Sequence, residues 1–173
     1  MSTIPSLQAL LIDELQDLYH AENQLLKALP KMAKAAANPA LKTGFTQHLE
    51  ETRTHVERLK EAFDLLKLPA KGKLCHAMKG LVEEGAEAIE IKGPAAVRDA
   101  ALIGAAQRVE HYEIAGYGTA RAFAQALGEK SVADLLQQTL DEEGATNKKL
   151  TVVALTVNAE ALTTPEAPAK KKK

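Results

Sequence analysis

The sequence predicts an all-α protein, a four-helix bundle with one long crossover that carries a short fifth helix. Three observations predict it. Apolar residues recur at alternating spacings of three and four over long stretches, which is the period of one helical face. Those stretches are interrupted only at a few Pro- and Gly-containing points. The connections between them run short, long, short, so the helices form two antiparallel hairpins joined by a crossover. Composition agrees: of 173 residues 46% are apolar but only 3% aromatic, with no Trp, so Ala and Leu must supply the packing.

The first helix is expected over 6–37. Leu7, Leu11, Leu15, Leu18, Leu25, Leu29 and Met32 form its inward stripe. Pro5 or Ser6 starts it, Asn38-Pro39 closes it, and Pro30 is expected to kink or briefly break it. The second helix, over 41–66, turns Leu41, Phe45, His48/Leu49, Thr52, His55/Val56, Leu59, Phe63 and Leu66 inward. Leu68-Pro69-Ala70-Lys71-Gly72-Lys73 breaks the chain. A shorter helix follows over 74–91 and ends at Lys92-Gly93-Pro94.

The third long helix is expected over 95–127, with Val97, Ala101, Ala105, Val109, Tyr112, Gly116, Ala120 and Phe123 inward. Gly128 stops it, and Ser131 caps the fourth, over 132–162. Gly104, Gly116 and Gly118 would let backbones approach closely. The chain divides into a bundle of residues 1–162 and a tail of 163–173. That tail, ending Pro-Glu-Ala-Pro-Ala-Lys-Lys-Lys-Lys, has too little apolar surface to bury and reads as flexible. Two hairpins joined by one long crossover are the ferritin-like arrangement.

Bulk properties exclude several functions. A net charge of −1 gives no field that would attract nucleic acid or an anionic membrane. No stretch approaches the roughly 18–20 apolar residues of a membrane helix. The N-terminus lacks a secretory pattern, and one Cys, Cys75, cannot pair internally, which points to the reducing cytoplasm. Cys75 and His76 stand apart from other candidate groups and read as structural.

The informative residues are acids where leucines belong. Glu22 falls inside the first helix's apolar stripe, and Glu143 near the centre of the fourth's. A carboxylate moved from water into an apolar seam costs several kcal/mol unless it is paired or coordinated. The same oddity recurs on the other two long helices: Glu51 and His55 one turn apart on the second, and Glu110 and Glu113 on the third. Glu142 flanks Glu143. Four buried glutamates carry about −4, which two divalent cations would cancel, while an imidazole ligates without adding charge. Carboxylate oxygen with an imidazole suits iron or manganese, and one distant Cys cannot supply a thiolate site; iron is the expected metal, with manganese as the other candidate.

The competing reading for each acid is a partner such as His, Tyr or Lys across the bundle. His20, His48 and His111 read as surface or supporting groups. Tyr19, Tyr112 and Tyr117, within a turn of Glu22 or Glu113, are candidates to hydrogen-bond the ligands. The halves also match weakly: His20-Ala21-Glu22 with His111-Tyr112-Glu113, and Leu49-Glu50-Glu51 with Leu140-Asp141-Glu142.

Several segments together resemble the YciE/YciF family of ferritin-like, stress-associated bacterial proteins. They are Asp-Leu-Tyr-His-Ala-Glu at 17–22, His-Leu-Glu-Glu-Thr at 48–52 with His55, Ala-Met-Lys-Gly-Leu-Val-Glu-Glu at 77–84, Glu-His-Tyr-Glu at 110–113, and Thr-Leu-Asp-Glu-Glu at 139–143. The resemblance implies a four-helix bundle, a homodimer and a dinuclear metal site. If the protein is catalytic, it implies a di-metal oxidoreductase of oxidase or peroxidase type acting on a small oxidant. Two departures from the wider superfamily stand out. Thr52 occupies the Glu position of the usual Glu-x-x-His, so Glu51 is expected to substitute, and no His follows Glu142 or Glu143.

Three functions follow: a dinuclear iron or manganese protein handling oxygen or peroxide in stress, a non-enzymatic helical stress or structural protein with a vestigial or structural metal site, and an iron-storage shell. Nothing in the sequence points to cage assembly. In the first, Glu22, Glu51, His55, Glu113 and Glu143 bind metal, with Glu110 and Glu142 as exchanging ligands.

Overall fold

Ser6 is itself extended and caps the first helix, its hydroxyl accepting the Ala9 N–H at 3.1 Å. The structure, a computed structural model, describes residues 4–163. It contains α1 (Leu7–Ala35), α2 (Pro39–Leu65), α3 (His76–Ile89), α4 (Ala95–Ala126) and α5 (Lys130–Thr163). Of the expected tail, Thr163 closes α5, and 164–173 lie outside the described residues. Among the described residues no helix is long and apolar enough to cross a membrane.

Three local expectations change. α1 runs unbroken through Pro30. That residue is exposed, so the carbonyl it leaves unpaired, that of Leu26, lies on the solvent side. Pro39 opens α2 instead of merely closing α1. Asn38 caps it by accepting the N–H groups of Ala40 and Leu41 at 2.9 and 3.2 Å. Ser131 is not a cap: α5 begins at Lys130, and the Glu129 carbonyl accepts the Ala133 N–H. The turn closes early because Gly128 adopts φ +77°, which lets Glu129 N–H reach back to the Ala124 carbonyl at 2.9 Å. Lys67, at φ 58°, ends α2 in the same way.

Around the bundle the order is α1, α2, α5, α4, each packed on the next, with α3 against the α1–α4 edge. Neighbours run antiparallel: Arg58 meets Thr139 and Glu51 meets Thr146 across α2 and α5. Ala37 meets Asp99, and Leu18 meets Gly116, across α1 and α4. A Cβ on Gly116 would come within 2.9 Å of the Leu18 side chain, so this glycine sets the α1–α4 spacing. Gly118 and Gly104 do not: a Cβ would meet nothing within 4 Å at the first and only the Arg108 guanidinium, at 3.9 Å, at the second.

The crossover is tied to α1 before α3 begins. Lys73 N–H donates to the Gln16 carbonyl at 3.0 Å, and Cys75 N–H donates to His20 Nδ1 at 3.2 Å. Cys75 caps α3 by accepting the Met78 N–H, and its sulfur lies 3.0 Å from the Tyr112 hydroxyl. The single thiol is therefore a buried structural group.

The apolar interior is in two parts. One holds Leu25, Leu29, Phe45, Leu102 and Leu150, and the other Leu15, Leu18, Leu59, Phe63 and Leu136. A belt of buried polar residues separates them. Outside that belt, the buried acid is Asp99, 1% exposed, which accepts N–H groups from Ala37 at 3.0 and 3.2 Å and Asn38 at 2.6 Å. It fastens the α1–α2 turn to α4 and places a negative charge at the N-terminus of α2. Asp99→Ala would strand these two donors and is expected to cost about 1–3 kcal/mol in denaturant-induced unfolding. An unchanged midpoint would show that the turn is held by other contacts.

Candidate metal centre

Three of the four long helices deliver acids to the same depth. Glu22 on α1, Glu113 on α4 and Glu143 on α5 are fully buried, and Glu110 is 2% exposed. The α2 helix contributes no acid at this depth but two imidazoles, His48 and His55, at 3% and 0% exposure. They are seven residues apart, two turns along one face, and their rings lean together to a centroid distance of 6.2 Å. Six side chains thus converge in two groups: His48, Glu110, Glu113 and Glu143, and Glu22, His55 and Glu143. In each group the candidate ligand atoms lie within 4.8 Å of one another. Glu143 belongs to both. Its Oε1 is 2.9 Å from His55 Nδ1 and its Oε2 3.7 Å from His48 Nε2.

Protein partners do not account for these groups. Glu22 Oε2, Glu110 Oε2 and both oxygens of Glu113 and Glu143 have no hydrogen-bond partner, nor do His48 Nε2 and His55 Nδ1. His55 Nδ1 lies near Glu143 and Glu22 by distance (2.9 and 3.3 Å) but not in hydrogen-bonding alignment with either. Inward-facing lone pairs without donors, in a dry interior, form a donor set suited to cations. Four buried carboxylates against two divalent ions also balance in charge. Thr52, fully buried between the two histidines in the chain, likewise has an unpartnered hydroxyl.

Each histidine is braced from outside. His55 Nε2 is 2.9 Å from Glu142 Oε2, and Glu142 is gripped by Arg58 through contacts of 2.5 and 2.8 Å. His48 Nδ1 is 3.3 Å from Glu51 Oε2, which also accepts the Thr146 hydroxyl at 3.2 Å, while Glu51 Oε1 is 3.6 Å from Lys149 Nζ. A carboxylate that takes the outer N–H fixes the tautomer and leaves the inner nitrogen free to ligate. Tyr117, fully buried, donates to Glu22 Oε1 at 2.5 Å.

Electrostatics follow from this geometry. Burial pushes the Glu110 and Glu113 carboxyls well above the usual range, and neighbouring acids add to it. Burial also raises Glu22, against the opposing pull of His55. Burial would raise Glu143 too, but two histidines outweigh it and hold it low. For His55, burial opposes the charge, yet the close carboxylates of Glu143 and Glu22 win and lift it to about 10. His48 holds Glu51 down to about 2, and Arg58 lowers Glu142.

Of the sequence candidates, Glu22, His55, Glu110, Glu113 and Glu143 meet at the centre. Glu51 and Glu142 do not: they are partly exposed, at 31% and 36% of their side chains, and bound to Lys149 and Arg58. They lie one position away from the inward face, where cations on neighbouring helices reach them. His48 is the group sequence reasoning placed outside. Its signal was its spacing of seven from His55 on the inward stripe. His20 and His76 are spent or exposed at the crossover and His111 is exposed. Of the tyrosines only Tyr117 reaches a central acid. Tyr112 donates to Asp17, and Tyr19 packs edge-on against Phe63.

Comparison with known proteins agrees with the architecture. YciF of Escherichia coli K12 is 47% identical over 151 residues, spanning 87% of this chain and 91% of YciF. The crystal structure of that E. coli stress protein superimposes with a TM-score of 0.87 at 45% identity, over 90% of this chain and 99% of YciF. YcfI of Rhodopseudomonas palustris gives 0.85 at 46% identity, over 87% and 96%. A Xanthomonas campestris protein, 23% identical with a TM-score of 0.71 over 91% and 96%, shares the fold. The pattern of the family described as a domain of unknown function, DUF892, matches residues 6–163. The chain belongs to the DUF892 family and is a close relative of the stress protein YciF.

Proposed function

We propose that this protein binds two divalent metal ions, iron or manganese, in its polar belt and uses them to handle oxygen or peroxide under stress. The observation that carries this reading is the set of inward-facing, partnerless buried atoms on Glu22, His48, His55, Glu110, Glu113 and Glu143. Glu22, His55 and Glu143 would hold one ion, and His48, Glu110, Glu113 and Glu143 the other, with Glu143 between them. The description of YciF as a stress protein supports the physiological setting.

Bound redox-active ions would supply electrons to a small oxidant. The chain's own residues do the remaining work. Glu142 and Glu51 hold the outer nitrogens of His55 and His48, so both rings are oriented with their inner nitrogens towards the central acids. Tyr117 holds its proton, pushed well up by burial, and steadies Glu22 through Oε1 while Oε2 remains open. The two apolar clusters exclude bulk water from above and below.

Metal analysis of protein purified without chelator is expected to give two equivalents of iron or manganese per chain. Adding either ion to stripped protein should raise the melting temperature, since about 100 Kd of free ion adds roughly 2.7 kcal/mol. No stoichiometric metal and no thermal shift would sink the reading.

The substitutions should separate ligands from braces. Glu143→Ala, which touches both groups, should abolish binding of both ions. Glu142→Ala should keep the stoichiometry while weakening affinity by about 10–100-fold. Equal loss in both, measured by equilibrium dialysis, would contradict the division.

The pH dependence has a definite sign. His55 is raised above its unfolded value of about 6.5, so the stability it contributes is complete below that pH and is lost as pH rises towards about 10. Glu110 and Glu113 are also raised, so the folded chain retains protons that the unfolded chain has released, and stability again falls with rising pH. Stripped protein should therefore melt progressively lower from pH 6.5 to 10. Ion binding should release protons and tighten with pH, which calorimetry in buffers of different ionisation enthalpy would detect. A melting temperature that rises over this window would reverse the assignment.

A further inference from the structure

A centre built of fully buried groups needs a way in, and one surface cavity reaches it. Between α2 and α5 lies a space of about 30 Å³, lined by Gly44, Phe45, His48, Glu51, Glu110 and Lys149 among others. That is room for one or two waters. It joins an exposed residue, Lys149, to two of the central groups, His48 and Glu110. Glu51 spans the distance. One oxygen faces Lys149 at the mouth, and the other faces His48 Nδ1.

We infer that this cavity is the port through which a dehydrating divalent cation enters the centre, passing from Glu51 to His48 and Glu110. The inference rests on the dinuclear reading above. The port offers a carboxylate at each end, Glu51 and Glu110, between walls that include Leu41, Phe45 and Leu150, so a cation exchanges water for carboxylate oxygen in two steps. Lys149 is the opposing charge: it occupies the outer oxygen of Glu51, and an arriving ion must displace it. A volume of about 30 Å³ admits a bare ion or one that keeps a single water, and not a chelated one.

Gly44 makes the port testable. Gly44 lines the cavity, and a Cβ built there meets nothing within 4 Å, so the position has room for a side chain that narrows the port. Leucine is also the better helix former, so Gly44→Leu should fold with an equal or higher melting temperature. Gly80→Leu on α3, likewise unobstructed and absent from the cavity lining, is the control. Stripped protein is mixed with Co²⁺ in a stopped-flow instrument, and the visible cobalt bands report loading.

Gly44→Leu is expected to load about tenfold more slowly to the same final absorbance, while Gly80→Leu matches the unmodified chain. Lys149→Gln should load a few-fold faster at low ionic strength, with the difference vanishing in high salt. A folded Gly44→Leu that loads at the unmodified rate overturns the port and leaves the dinuclear centre standing. An unmodified chain that takes up no cobalt at all overturns both.

Discussion

Four carboxylates and two imidazoles crowd into one buried volume, and that crowding governs the bundle. Glu22, Glu110, Glu113 and Glu143 each lie at or below 2% exposure, and their free oxygens have no donors among the protein's own groups. Left to themselves they must take up protons or repel one another across the bundle axis. Such a belt in the middle of a leucine-rich core is a standing liability to the fold. Protons or cations are what can relieve it.

The surrounding architecture is arranged to hold this belt in register. Apolar clusters lie on both sides of it, so each long helix crosses from one cluster to the other through the polar belt. The α1–α4 contact is closed by Gly116 on Leu18 one turn from the belt, and Asp99 anchors the far end of the same helix pair. Outside the belt the charges pair across helices. Arg58 with Glu142 and Lys149 with Glu51 both join α2 to α5, and each pair backs one histidine. The weak sequence match between Glu51 and Glu142 has this structural counterpart: they are equivalent braces on facing helices.

Much of this was legible in the sequence, and the parts that were not share a cause. Helical periodicity placed all five helices to within a few residues, because long apolar stripes tolerate little ambiguity. It also singled out Glu22 and Glu143, since an acid at the centre of a stripe is improbable on a solvated face. Where it failed, the deciding partner lay on another helix. Glu51 and Glu142 looked like ligands at the flank of their stripes, but Lys149 and Arg58, far off in sequence, claim them. His48 looked peripheral because the expected Glu-x-x-His spacing drew attention to residues 51–55, whereas the structure uses a His pair seven apart. Pro30 leaves α1 unbroken for a simpler reason. A proline on the wet side of a helix costs one backbone bond that water can replace.

Both nitrogen donors come from one rigid rod, and the oxygen donors come from the other three. Because His48 and His55 ride on α2 together, a translation of that helix along its axis withdraws both imidazoles in one movement and cannot withdraw just one. Glu143, facing both, enforces the same linkage from the opposite wall. The approach of both imidazoles to the central acids is thereby tied to a single mechanical coordinate.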